Sequence, residues 1–168
     1  MRLEMIKVGR IVNAHGIRGE VRVQPRDGDP YFLTEFETFY IDGKPVTPTA
    51  NHVHKSLVLM KFPGVDDMNT ALTYQDTDIY IRRDDPKIPK NMVFDEELLD
   101  MEVLQDDTGE VLGVITEITE YPAHDVYTIR GVREFMIPAV PDVFIKSVDL
   151  EANQMVVHIL EGMDSNEI

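Results

Sequence analysis

The stretch MIKVGRIVNAHGIRGEVRV, Met5 to Val23, sets the fold class. On its left, MIKVGRIV partly alternates apolar and polar residues. On its right, Glu20, Val21, Arg22 and Val23 alternate again. A period of two marks a half-buried strand. HGIRG (His15–Gly19) between them reads as a short connection joining two antiparallel strands. Its glycines accept positive φ without steric cost. The glycines are thereby explained, but the basic residues around them, Arg10, Arg18 and Arg22 with His15, are not.

Working outward, most of the chain shows the same short alternating runs. Strands are expected at 5–12, 19–24, 37–41, 50–54, 57–62 and 77–82, then at 100–105, 111–120, 125–130, 134–138, 143–149 and 154–159. LVLMKF (Leu57–Phe62) and DIYIRR (Asp78–Arg83) carry the β-branched and aromatic residues that pleated surfaces favour. Gly113, inside the run 111–120, signals a bulge or a sharp bend. Turn signals recur at DGDP (27–30), DGKP (42–45), DDTGE (106–110) and LEAN (150–153). Short helices are expected at Asp66–Gln75, capped by Asp66, and at Phe94–Asp100. RRDDPKIPKNM (Arg82–Met92) is charged, carries two prolines and lacks periodicity. The expected architecture is all-β: two small barrels, residues 1–84 and 94–168, joined by a linker at 85–93, with one or two short helices.

Composition narrows the function. The chain of 168 residues has no cysteine, so disulfides, thiolate nucleophiles and cysteine-based zinc sites are excluded. No apolar run approaches the roughly 20 residues of a membrane helix. MRLEMIKVGR is too charged for a signal peptide, and a cytoplasmic protein without membrane contact is expected. The formal net charge is −15, and its distribution is uneven. Residues 1–90 hold 13 basic and 13 acidic side chains, whereas residues 91–168 hold 3 and 18. Residues 1–26 alone carry six basic side chains against two acidic ones. Halves this different suggest two modules with different partners.

Catalytic motifs are not evident. HGIRG matches neither the dinucleotide fingerprint nor the phosphate loop. Arg10, Arg18 and Arg22 suit contacts with RNA phosphates, because the guanidinium fork matches phosphate oxygens. His52 and His54 would share a strand face, a possible metal pair with His15, but no third ligand is evident. His124 beside Asp125 would need a loop to act as an acid-base pair, and no serine partner is obvious. No catalytic residue, metal or cofactor is expected. Asp95, Glu96, Glu97 and Asp100 gather after the linker, with Phe94, Leu98 and Leu99 as candidate apolar anchors. Such a face would suit a basic protein.

Three blocks, VGRIVNAHGIRGEVRV (Val8–Val23), HKSLVLMKFPGVDDMNTA (His54–Ala71) and IPAVPDVFIKSVDLEANQMVVHILEGM (Ile137–Met163), resemble in order three motifs of the bacterial RimM ribosome maturation factors. The resemblance implies a barrel similar to one found in translation factors, followed by a PRC-barrel. It implies a non-enzymatic assembly factor that binds the immature small ribosomal subunit and assists rRNA processing and maturation of its head. The implied partners are a small-subunit head protein and rRNA. The family's loop falls on Gly16, Arg18, Gly19, Glu20 and Val21, and its His-Lys pair on His54 and Lys55. A third pattern falls on Ala123, His124, Asp125 and Val126, with His124 where asparagine is usual. Where the family commonly has two tyrosines, this chain has Val93 and Phe94. Charge and resemblance together suggest that Arg10, His15, Gly16, Arg18, Gly19, Arg22, His54 and Lys55 face rRNA. Phe94, Glu97, Leu98, His124 and Asp125 would then meet a basic head protein. A monomer is expected, since nothing demands a dimer. The alternatives are a PRC-barrel module serving a non-ribosomal complex, and a hydrolase or metal protein using His15, His52 and His54.

Overall fold

A computed structural model describes residues 1–160, 162 and 163. The expected domain at 94–168 and the third sequence block therefore fall partly outside the described residues. The chain forms two compact units. One is Glu4–Lys90; the other is Asn91–Ile168 together with Met1–Leu3.

In the first unit lie β1 (Met5–His15), β2 (Glu20–Pro25), α1 (Pro30–Leu33), β3 (Phe39–Ile41), β4 (Lys44–Val46), β5 (Ala50–His54), β6 (Leu57–Lys61), α2 (Met68–Leu72) and β7 (Thr77–Arg82). Its seven-stranded sheet runs β4-β3-β7-β1-β2-β6-β5. The two end strands, β4 and β5, are neighbours in the chain, separated only by residues 47–49. Such a connection reaches about 14 Å at full stretch, whereas a flat sheet of seven strands is roughly 29 Å wide. The sheet therefore curls into a barrel. Its interior holds Ile6, Ile11, Val21, Val23, Leu33, Phe39, Met60, Ile79 and Ile81, all buried. Val8 and Gly9 are buried in succession because the β1–β7 register shifts between Lys7 and Gly9. A bulge places two adjacent residues against one partner, which breaks the simple alternation.

The second unit holds α3 (Asp95–Leu98), β8 (Glu102–Gln105), β9 (Val111–Thr119), β10 (Val126–Arg130), β11 (Glu134–Pro138), β12 (Ile145–Asp149) and β13 (Gln154–Val157). Sheet order is β11-β10-β9-β8-β13-β12, with β13 and β8 parallel. Here too the end strands, β11 and β12, follow one another. The connection between them is shortened by a turn in which the Phe144 N–H donates to the Val140 carbonyl. This barrel closes over Leu98, Met101, Val103, Ile115, Ile129, Ile137, Met155 and Val157.

The all-β, two-barrel expectation is met, with three short helices among the described residues instead of one or two. Within the expected helix at Asp66–Gln75 the cap is Asp67, not Asp66. The Asp67 carboxylate accepts from the Thr70 N–H at 2.7 Å, and that bond holds its carboxyl below the ordinary value. Among the described residues no helix is long and apolar enough to cross a membrane.

Candidate functional site

The β1–β2 hairpin turns through residues 16–19, with His15 paired opposite Glu20. Gly16 has φ of +68° and Gly19 +95°. For Gly16 the conformation alone matters, since a Cβ there would meet nothing. Gly19 is buried, and a Cβ would lie 2.1 Å from the Val65 carbonyl oxygen. The turn is thus seated directly on the backbone of the segment between β6 and α2. Lys61 braces that segment: its Nζ donates to the Val65 carbonyl and, at 2.8 Å, to Asp66 Oδ1. The first two sequence blocks, far apart in the chain, meet at this point.

Beside the hairpin, β5 and β6 join through Lys55 and Ser56, with His54 paired opposite Leu57. His15 and His54 are each the last strand residue before a turn. Their ring centroids stand 5.4 Å apart at an interplanar angle of 55°. Arg22 Nε donates to His15 Nδ1 at 3.1 Å and fixes that ring. At the turn tips, Ile17 is 77% exposed, and Arg18 and Lys55 are exposed with no ion pair among the described residues. The face therefore gathers His15, Arg18, Arg22, His54 and Lys55. Ile17 belongs to it as well, although an apolar residue between glycines carries no charge signal in the sequence.

Arg10 does not join this face. It sits five residues back along β1, roughly 16 Å at strand rise, directly opposite Asp78 on β7. Its Nη1 meets Asp78 Oδ1 at 2.9 Å, and Lys7 reaches the same oxygen at 3.2 Å. Burial pushes the Asp78 carboxyl up, but the bonds and charges of Lys7 and Arg10 outweigh it and hold it below the ordinary value. Arg10 is a cross-strand partner of Asp78 and stands apart from the His15–His54 turns.

Lys55 has φ of +58°. The left-handed region costs a residue with a Cβ about 1–2 kcal/mol, and such strain concentrates at functional positions. Lys55→Gly should therefore leave stability unchanged or raise it by up to about 1 kcal/mol, while removing one exposed cation. Urea unfolding checks the stability effect.

On the second barrel the anchor positions need two corrections. Glu97 is fully buried and Leu98 is 4% exposed. Glu97 Oε1 accepts from the Phe94 N–H at 3.2 Å, the return half of a capping box, and Oε2 accepts from the Leu3 N–H at 3.1 Å. Neither residue offers a surface; both hold the barrel together. Phe94 and Val93 are half-buried, and Val93 packs on the core. His124 is exposed, with Nδ1 3.1 Å from the Asp125 carbonyl, which also accepts from the Ala139 N–H. Asp125 and Asp95 both bear on Tyr127, whose phenol is pushed up to about 12 by burial first and then by these two negative charges. Tyr127 thus lies within electrostatic range of Asp95 at the start of α3 and of Asp125 just before β10.

Because the folded Tyr127 phenol holds its proton above the unfolded value of about 10, the unfolded chain ionises first as pH rises. Stability from this group is complete below pH 10 and is lost as pH climbs toward 12. Tyr127→Phe should flatten that part of the alkaline unfolding profile.

Among the described residues no group of three or more His, Asp or Glu is placed to hold a metal ion.

Comparison with known proteins assigns both units. The model of the RimM N-terminal domain matches residues 6–86, and that of the RimM PRC barrel domain matches residues 95–163. The chain is 34% identical over 170 residues to ribosome maturation factor RimM of Clostridioides difficile, covering 96% of this chain and 97% of that protein. It is also 34% identical over 176 residues to ribosome maturation factor RimM of Acetivibrio thermocellus, covering 99% of each. A crystal structure of RimM from Pseudomonas aeruginosa is 26% identical with a TM-score of 0.44, covering 93% of this chain and 98% of that one. The chain belongs to the RimM family of ribosome maturation factors.

Proposed function

We propose that this ribosome maturation factor is a cytoplasmic, monomeric, non-enzymatic protein that binds the immature small subunit with a different chemistry on each barrel. The first barrel presents Arg18, Lys55, Arg22, His15 and His54 to rRNA. The second barrel, with Phe94, His124 and Asp125 on its surface, docks on a basic ribosomal protein of the subunit head. By holding both, the chain assists rRNA processing and head maturation. One observation carries the reading: exposed cations without ion-pair partners among the described residues stand on two adjacent turns of the first barrel, while residues 91–168 hold 3 basic side chains against 18 acidic ones. Phosphate binding rests on Lys and Arg displacing counterions, which the second barrel is poorly equipped to do. Acidic surface steers toward cationic polypeptide instead.

The test is a sedimentation profile of cells lacking the chain, complemented with wild type or with Arg18→Ala/Lys55→Ala. Immature small subunits with unprocessed rRNA should accumulate without the chain and persist with the variant. A profile unchanged by deletion would exclude a role in small-subunit maturation.

A further inference from the structure

The two adjacent turns of the first barrel combine three kinds of side chain. Two imidazole rings, His15 and His54, stand side by side at 5.4 Å, each at the base of a tight turn. One is held by the Arg22 guanidinium. Ile17 projects from the neighbouring turn at 77% exposure. Exposed Arg18 and Lys55 flank these groups. A purely electrostatic surface needs cations alone; this one mixes cations with flat rings and an apolar tip. Single-stranded RNA is recognised by that mixture, with bases splayed onto aromatic or guanidinium planes and phosphates met by nearby cations.

An A-form duplex fits poorly. Its bases are stacked inward, its major groove is too deep and narrow for side chains, and its minor groove is read by contacts spread over about 16 base pairs. Two adjacent hairpin turns offer a compact, protruding contact. From this we infer that the His15–His54 pair, with Arg22 and Ile17, stacks one or two unpaired bases of a single-stranded RNA segment, while Arg18 and Lys55 hold the adjoining phosphates. The inference rests on the proposed reading that the first barrel faces RNA, and it names the RNA class.

The experiment titrates the full chain into labelled oligoadenylate and oligouridylate of about 12 nucleotides, within the span of small RNA-binding barrels, and into the duplex the two strands form. Single strands should bind about tenfold or more tighter than the duplex, with oligoadenylate ahead of oligouridylate because purines offer the larger stacking face. His15→Ala/His54→Ala should lower single-strand affinity about tenfold and leave duplex binding unchanged. His15→Phe/His54→Phe, which keeps the planes and drops the nitrogens, should retain most of the affinity. Equal or tighter duplex binding overturns the single-strand inference while leaving RNA contact intact. So does an equal loss on both substrates in the alanine variant. Binding to none of the three RNAs overturns it together with the RNA-facing reading.

Discussion

Gly113→Ala should destabilise the second barrel by about 3 kcal/mol or more, lowering its melting midpoint by on the order of 15 °C. Gly113 lies in β9 with φ of +144°. An added Cβ would lie 2.2 Å from the Arg130 carbonyl oxygen and 2.4 Å from its carbon. Across the ladder, a Cβ on Gly131 would lie 2.2 Å from the Leu112 carbonyl oxygen. The two glycines let β9 and the end of β10 approach backbone to backbone, beside a register shift between β8 and β9. Neither obstacle is the end of a flexible side chain, so relief requires moving strands that border the core residues Ile115 and Ile129. Gly16→Ala is the matched comparison. It also has positive φ, but its Cβ meets open space, so its cost should stay near 1 kcal/mol. Calorimetry of both variants checks the prediction, and equal midpoints would remove the close-approach argument.

Replacing Arg18 and Lys55 together by alanine should weaken binding to immature small subunits about a hundredfold at low salt, with the melting midpoint unchanged. Both side chains are exposed and without an ion pair among the described residues. Against a single-stranded polyanion each phosphate contact contributes about 0.7 to the slope of log affinity on log salt, so the slope should fall by about 1.4. Arg10→Ala, which removes one charge instead of two, should change affinity less than about threefold. Arg10 sits five residues back along β1 from His15, roughly 16 Å at strand rise, and its guanidinium is held by Asp78 at 2.9 Å, away from the two turns. Titrations across a salt series separate these outcomes. A slope unaffected by the double substitution would mean that neither cation meets a phosphate.

Much of this architecture is readable from the chain because half-buried strands advertise themselves by period two. The run Met5–Val23 announces a hairpin, and the structure pairs His15 with Glu20 as its last rung. The omissions have physical reasons. β4 contains Pro45 and lies at the sheet edge, where proline is tolerated and strand patterning is weak. α1 is four residues long; its Asp29 cap and Pro30 read equally well as a turn. The site was legible in composition but not in arrangement. Which cations remain unpaired depends on register between segments 68 residues apart, as with Arg10 and Asp78. The meeting of His15 and His54 depends on two hairpins lying side by side. Glu97 looked like one acid of a surface cluster, whereas its position in the first turn of α3 turns it inward to backbone N–H donors. A carboxylate three residues after a helix cap is a signal for that role, and it stood in plain view in FDEE.

The division of labour between the barrels is tested most directly by site-specific photo-crosslinking of the full chain bound to immature small subunits. A benzophenone side chain would replace Arg18 in one sample and His124 in another. rRNA adducts are expected from position 18, and adducts with a small-subunit head protein from position 124. Protein adducts alone from position 18, with rRNA adducts from position 124, would contradict that division.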